Sequence, residues 1–352
     1  MYVFDKEQEA AIKAKEDKIL VVASAGSGKT FCLTERIKYL LDQGNDPKKM
    51  VAITFTNAAA EELIERIGKR GRDMFVGTVH SYANRLLLIG GLETKKYIVE
   101  EKFDEFFEEI KTHPEVLEEV EHLLVDEFQD TTNLQFEFFT DMINPKNFFY
   151  IGDQSQCIFS WAGANPNNFN YLERDPDVKV YYLNNNYRCG RNIVDFATDF
   201  LVSLKGYKAQ KIVCKNSIIG EVTKQTFFNL NYIVELLKED KEYKNWFILT
   251  RTNAEINLIE NFLNRNGIPT ESFKKSDLNS SQLKERIKRN TVKVLTVHSA
   301  KGLENDNVIV VGVVPYSQEE KRVAYVAATR AKNRLIWFYK KPTQKKVKYE
   351  QW

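Results

Sequence analysis

An octapeptide near the N-terminus, Ala23-Ser24-Ala25-Gly26-Ser27-Gly28-Lys29-Thr30, has the make-up of a phosphate cradle. Its glycines let main-chain N–H groups turn toward phosphate oxygens, Lys29 brings charge to the β- and γ-phosphates, and Thr30 offers a hydroxyl to Mg²⁺. Ala25, Gly26, Ser27 and Gly28 form the loop itself, and Ala23 stands where the usual pattern opens with glycine. Further on, Leu123-Leu124-Val125-Asp126-Glu127 ends an apolar run in two carboxylates. Asp126 is suited to hold Mg²⁺, directly or through water, and Glu127 to orient or deprotonate an attacking water. Gln156, beyond the run Phe148–Gly152, places an amide where a γ-phosphate could be sensed. Two distant segments, Asn186-Tyr187-Arg188 and Ala328-Thr329-Arg330, carry arginines able to meet the charge that spreads over γ-phosphoryl oxygens in a transition state. The catalytic candidates are therefore Lys29, Asp126, Glu127, Gln156, Arg188 and Arg330, with ATP and Mg²⁺ as cofactors and Thr30 and Asp126 as metal ligands.

These residues must be positioned by regular elements. Short apolar, β-branched runs predict strands at Ile19–Ala23, Val51–Thr54, Phe75–Thr78, Leu123–Asp126, Phe148–Gly152, Val178–Leu183, Trp246–Thr250, Val292–Val297, Val308–Val313 and Leu335–Tyr339. Continuous rather than alternating apolar character means burial on both faces, as in parallel sheets covered by helices, so the fold class is α/β. Leu33, Ile37 and Leu40 predict a helix after the cradle, and Ile256, Ile259 and Leu263 predict another that Asn266-Gly267 stops. The runs fall into two groups, giving an N-terminal ATPase domain at 1–183, a C-terminal domain at 184–342 and a basic tail at 343–352, with the ATP cleft between the two domains. Both arginine candidates then fall in the second lobe, and hydrolysis is expected to need closure of the lobes. Glu100–Glu121 is strongly acidic and reads as a solvated helical surface, not an arm for nucleic acid. Lys274–Asn290 reads as a short helix over a loop, and no internal repeat is evident along the chain.

Composition adds bounds. The 352 residues leave room for about two domains, and 43% apolar content supplies real cores. A net charge of +2 does not announce a nucleic-acid partner, so any such binding belongs to a local groove. Cys32, Cys157, Cys189 and Cys214 are far apart, which argues against a structural zinc site or a disulfide framework and fits a reducing, cytoplasmic setting, bacterial or that of a phage host. The polar start, Met1–Gln8, has no apolar signal core, and Val308–Val314 is too short to span a bilayer.

With the segments assembled in order, the chain resembles the UvrD/Rep/PcrA type of superfamily 1 DNA helicases over nearly its whole length. Phe4-Asp5-Lys6-Glu7-Gln8 is similar to the adenine-reading glutamine motif, Ala52-Ile53-Thr54-Phe55-Thr56-Asn57 to the first DNA-contact motif, and Gly77-Thr78-Val79-His80-Ser81 to the Thr-x-His-Ser segment. Asp126-Glu127-Phe128-Gln129-Asp130 matches the extended acidic box, and Ile151-Gly152-Asp153 through Trp161-Ala162-Gly163-Ala164 matches the segment joining ATP sensor to DNA-stacking aromatics. Asn186-Tyr187-Arg188, Arg251-Thr252-Asn253, Thr296-Val297-His298-Ser299-Ala300-Lys301-Gly302-Leu303-Glu304 and Ala324-Tyr325-Val326-Ala327-Ala328-Thr329-Arg330-Ala331 complete the set.

The resemblance implies two tandem RecA-like domains and a set of roles. Gln8 would read the adenine edge, Tyr187 would stack on the base and Glu304 would hold the ribose. Gln156 would couple ATP to DNA. Phe55, Phe159, Trp161 and His298 would line the strand track, with Thr78, His80, Thr296 and Asn253 as backbone contacts. Stacking on aromatic rings tolerates any base, which suits movement along arbitrary sequence. The implied activity is an ATP-dependent single-stranded DNA translocase or helicase, 3′→5′, stepping as an inchworm on single strands or 3′-tailed duplex. It would work as a monomer, and unwinding is expected to call on a protein partner. The alternatives are an ATP-dependent DNA-binding switch and a partner-dependent replication or recombination component. Two positions depart from the family pattern: Phe31 and Ala162 stand where relatives usually or often carry arginine. The intervals after His80 and after Asn253 are also short, where relatives carry accessory domains.

Overall fold

A computed structural model describes residues 4–204, 211–226, 228–274 and 278–339. The basic tail expected at 343–352 lies outside the described residues. The chain divides into two compact units, one of Met1–Arg188 with Gln210–Lys215 and Ser276–Glu285, the other of Cys189–Ala209 with Asn216–Lys275 and Arg286–Trp352.

The first unit is built on a sheet of β1 (Lys18–Ala23), β2 (Met50–Thr54), β3 (Phe75–Thr78), β4 (His122–Val125), β5 (Asn147–Gly152) and β6 (Lys179–Leu183). Every pairing is parallel, in the order β3-β2-β4-β5-β1-β6. Asp126, expected as the last strand residue, lies just past the end of β4. Apolar side chains alternate between two cores: Val51, Ile53, Leu123, Val125 and Tyr150 enter one, and Ala52, Leu124, Phe149 and Ile151 the other. Burial on both faces is thus what the unbroken apolar runs encode. Helices α1 (Lys6–Ile12), α2 (Lys29–Asp42), α3 (Asn57–Ile67) and α4 (Val79–Ile89) cover the sheet, α2 through Leu33, Ile37 and Leu40. A two-residue pair, β7 (Asn185–Asn186) with β8 (Val213–Cys214), is also parallel.

In the second unit β9 (Glu221–Gln225), β10 (Trp246–Thr250), β11 (Thr270–Glu271), β12 (Val292–Thr296), β13 (Asn305–Val311) and β14 (Ala331–Phe338) form a sheet ordered β11-β12-β10-β13-β14-β9, again parallel throughout. The helix Asn253–Arg265 buries Ile256, Ile259 and Leu263 and ends at Asn266, with Gly267 at φ +79°. The acidic stretch is helical at Glu105–Thr112, where Phe106, Phe107 and Ile110 anchor it, and a helix forms at Ser280–Lys288. Among the described residues no helix is long and apolar enough to cross a membrane.

One strand residue defies its pattern. Lys293 on β12 is fully buried, and its Nζ donates to Arg289 O at 2.8 Å, Thr291 O at 2.9 Å and Thr291 Oγ1 at 2.7 Å. Burial pulls its pKa down to about 8, against the pull of Glu271. The unfolded chain therefore holds this proton more tightly than the native one from about pH 8 to 10.5, and native stability gains as pH rises through that window. Chemical denaturation of wild type and Lys293→Met at pH 7.5 and 9.5 is expected to show the difference between them moving in favour of wild type at the higher pH, by about 1–2 kcal/mol. A difference that does not change with pH would mean that the amine is not strained by its burial.

Candidate nucleotide site and strand-contact surface

The phosphate loop joins β1 to α2. Gly26 (φ +71°) and Gly28 (φ +82°) adopt left-handed backbone, and no side chain caps the start of α2, leaving that end to an anion. Gly26 is also required by crowding, because a Cβ there would lie 2.8 Å from both Arg188 Cβ and Asn186 Nδ2. Asn186 Nδ2 donates to Ala25 O at 2.6 Å and Tyr187 N to Gly26 O at 2.9 Å, so the segment Asn184–Arg188 packs with the first unit, not the second. Arg188, its N–H held by Asn186 Oδ1 at 3.0 Å, rises beside the loop from the same unit, and only Arg330 belongs to the other.

The base end of the site is built from α1. Asp5 and Gln8 form a capping box, and the Gln8 side chain, buried, donates through Nε2 to Ser27 O at 3.0 Å. Tyr187, 43% exposed, donates its hydroxyl to Asp5 Oδ2. Phe31 packs against Phe4 with centroids 5.7 Å apart, giving an aromatic wall.

Asp126 and Thr30 meet as metal ligands must: Thr30 Oγ1 lies 3.2 Å from Asp126 Oδ2. Burial, then the neighbouring Glu127 charge, pushes the Asp126 pKa up to about 6, while Lys29 opposes the rise. A buried carboxylate beside a second carboxylate and a hydroxyl fits a divalent cation. Glu127 itself sits in left-handed backbone, φ +49°. A relay starts from it. Gln129 Nε2 donates to Glu127 Oε2, Asp153 N donates to Gln129 Oε1 at 2.9 Å, and Gln156 Nε2 donates to Asp153 Oδ2 at 2.7 Å. Gln129 and Asp153 were not among the sequence candidates. Glycine is needed at 152 because a Cβ would stand 2.3 Å from Gln129 Oε1.

The relay leads to the aromatics. Phe159, three positions beyond Gln156, stacks on Phe55 with centroids 5.3 Å apart, and Trp161 lies 6.2 Å from Phe159. Phe55 is 46% and Trp161 69% exposed, so neither is core. A cavity of about 140 Å³ is lined by Phe55, Thr78 and His80 together with Asp126, Glu127 and Asp130, placing strand-contact candidates and the acidic box around one chamber. His80 is enclosed by Phe103 and Phe107, with Asp104 Oδ1 3.7 Å from its Nε2. Burial lowers the His80 pKa, so the ring is neutral at physiological pH.

An internal repeat emerges here, contrary to the reading of the sequence. Thr54-Phe55-Thr56-Asn57 follows β2 as Thr250-Arg251-Thr252-Asn253 follows β10, and in each the first threonine donates to the third residue's carbonyl at 3.1 Å. Thr78-Val79-His80-Ser81 recurs as Thr296-Val297-His298-Ser299, each threonine accepting from the serine N–H, at 3.2 and 3.1 Å. The sheets register them identically, Thr54 against Thr78 and Thr250 against Thr296. Thr78, His80 and Phe55 in one unit thus have counterparts in Thr296, His298 and Arg251 in the other, where Asn253 opens its helix and Arg251 pairs with Glu320 at 2.8 Å.

Comparison with known proteins agrees with this geometry. The UvrD/REP helicase N-terminal domain matches residues 4–113 and 100–177, and the UvrD-like helicase C-terminal domain matches 181–278 and 271–342. The chain belongs to the UvrD/REP helicase family. It is 26% identical to a probable DNA helicase of Mycoplasma pneumoniae over 94% of this chain and 82% of that protein. It is 28% identical to the ATP-dependent DNA helicase PcrA of Leuconostoc citreum over 75% and 49%, and 27% identical to a probable DNA helicase II homolog of Mycoplasma capricolum over 76% and 51%. The chain thus spans about half the length of the last two relatives. Each domain match of this UvrD-type chain comes in two pieces, meeting at 100–113 and 271–278, within the short intervals after His80 and Asn253.

The two parallel sheets are the RecA-like domains of the helicase fold. Two remaining candidates lie in the second. Glu304 pairs with Lys332 at 3.0 Å. Arg330 is 1% exposed, and its guanidinium donates to Val326 O at 2.9 Å, Leu303 O at 3.1 Å and Thr329 Oγ1 at 3.1 Å. Those bonds are made to residues of its own unit.

Proposed function

We propose that the chain is an ATP-driven motor that moves along single-stranded DNA, with Lys29, Asp126, Glu127, Gln156, Arg188 and Arg330 serving hydrolysis. Thr30 and Asp126 would hold Mg²⁺, which supplies charge to the phosphates. Gln8 and Tyr187 address the base and Glu304 the ribose. Phe55, Phe159, Trp161 and His298 line the strand track, and Thr78, His80, Asn253 and Thr296 touch its backbone. The observation that carries the reading is the run of hydrogen bonds from Glu127 through Gln129 and Asp153 to Gln156, which stands three residues along the chain from the Phe159–Phe55 stack. It gives the state of a nucleotide a physical route to a base-stacking surface. Movement 3′→5′ rests on the family resemblance.

Steady-state ATPase measured with and without poly-dT tests this. Hydrolysis is expected to rise about tenfold or more on poly-dT and to vanish in Lys29→Ala. Displacement of streptavidin from oligonucleotides biotinylated at one end or the other then separates a moving motor from a static clamp and reports polarity. Hydrolysis indifferent to DNA would overturn coupling in the isolated chain. One observation favours dependence on a protein partner for unwinding. Leu88, Ile89, Ile98 and Val99 are exposed just ahead of the first break in the family match, a place where a partner could stand in for residues that relatives carry.

A further inference from the structure

Arg36 is a charged residue that the hydrolysis machinery does not use. It lies on α2 seven positions after Lys29, about two helical turns, and is only 5% exposed. Its Nη1 donates to Ile12 O at 2.8 Å and to Ala14 O at 2.6 Å. The guanidinium lies over the Tyr39 ring at 5.7 Å and the Phe149 ring at 5.6 Å, so its plane is fixed by packing as well as by hydrogen bonds. The carbonyls it holds are those of the last residue of α1 and of the chain just beyond it. At the other end of α1 sits Gln8, reaching Ser27 O in the phosphate loop, with Asp5 accepting from Asn185 and Tyr187.

A helix of seven residues is not stable by itself in water. Its orientation is set by what grips its ends and by the burial of Ala11 and Ile12. Arg36 grips the C-terminal end, where free carbonyls and the negative pole of the helix favour a cation. Because α2 also begins with Lys29, one rigid helix then holds the phosphate-binding end and the base-reading end of the site at a fixed separation.

We propose that Arg36 is a positioning residue for nucleotide-base selection: it acts through α1 to hold the Gln8 amide where the adenine edge must meet it. The inference rests on the nucleotide-binding reading of the phosphate loop and on Gln8 as base reader. Loss of the clamp would tilt α1 without touching the phosphate contacts. KM for ATP should therefore rise while kcat stays near wild type, and the preference for ATP over GTP should fall.

The test is a double-mutant cycle on selectivity. The ratio of kcat/KM for ATP to that for GTP is measured in wild type, Gln8→Ala, Arg36→Met and the double variant. Amide exchange across residues 6–12 is followed in the same four proteins. Arg36→Met is expected to lower the ratio about as far as Gln8→Ala, with no further fall in the double variant, and to speed exchange in α1. Arg36→Lys, which retains a cation and donors, should recover most of the selectivity. Additive losses, or an unchanged ratio in Arg36→Met, would overturn the link. Should Arg36→Met prove too unstable to assay, Arg36→Lys takes its place in the cycle: a loss of selectivity that does not deepen when Gln8→Ala is added would support the link, and losses that add would overturn it. A Gln8→Ala ratio equal to wild type would instead overturn Gln8 as base reader, and absence of hydrolysis in wild type would overturn the motor itself. Unaltered exchange in α1 would remove the clamp whatever the kinetics.

Discussion

Glu127→Gln is expected to lower the rate of ATP hydrolysis by about 10²–10⁴-fold and to leave nucleotide affinity within about threefold. The substitution keeps size and shape but removes the carboxylate proposed to take a proton from water. The neighbourhood explains why affinity survives. Thr30 and Asp126, the proposed metal ligands, and the loop amides proposed to hold phosphate are untouched. The Gln129 amide, which now donates to Glu127 Oε2, finds the oxygen of a glutamine at the same place. Single-turnover hydrolysis in a quenched-flow apparatus, beside titration with a fluorescent ADP analogue, checks both halves. A loss of under tenfold would remove Glu127 as base. A parallel collapse of affinity would show that its carboxylate serves the metal instead.

Phe159→Ala and Trp161→Ala are each expected to weaken binding of single-stranded oligo-dT by about 1–3 kcal/mol. Trp161, with 69% of its surface exposed, has little packing to lose, so its variant should keep the stability of wild type. Phe159 has more at stake, because its ring stacks on Phe55. Removing it deprives Phe55 of a partner and takes away the ring that stands three residues beyond Gln156. Phe159→Ala should therefore also abolish stimulation of ATPase by saturating DNA, whereas Trp161→Ala should only raise the DNA concentration that stimulation requires. Fluorescence anisotropy for binding, and ATPase against DNA concentration for coupling, distinguish them. Equal coupling defects in the two variants would place the transmission outside Phe159.

Much of this was open to reading because unbroken apolar runs admit few outcomes. β2, β4, β5 and β10 are buried on both faces and stand where the sequence puts them, within a residue. β9 escaped because Glu221-Val222-Thr223-Lys224-Gln225 carries one apolar residue, which suffices for a strand at a sheet edge. Lys293 escaped for the opposite reason, a charge inside a core strand satisfied by carbonyls that only the folded chain brings near. The phosphate loop and acidic box are local words, legible in isolation. Gln129 and Asp153 acquire their meaning from the adjacency of β4 and β5, which no local pattern encodes. The repeat escaped because each tetrapeptide is short and ordinary, and only the common register of the two sheets pairs them. Strand spacing likewise gave no sign that Asn186 would be tied back to Ala25.

The parallel pair β7–β8 has a consequence for how the protein is made. Asn185–Asn186 finds its partner only in Val213–Cys214, after the chain has run through the helix Arg191–Val202 of the other unit. During synthesis the first unit therefore waits, one small ladder short, while the intervening residues emerge from the ribosome, a delay of about 1–5 s at ordinary elongation rates. The segment that waits is Asn185–Asn186, the one that leads straight into Tyr187 and Arg188 beside the phosphate loop. A nascent chain arrested at Arg188 would own every strand of its first sheet and still lack the pairing that braces this corner of the loop. The corner beside the phosphate loop is therefore completed only after synthesis of the second unit has begun, which orders the birth of the two halves in time.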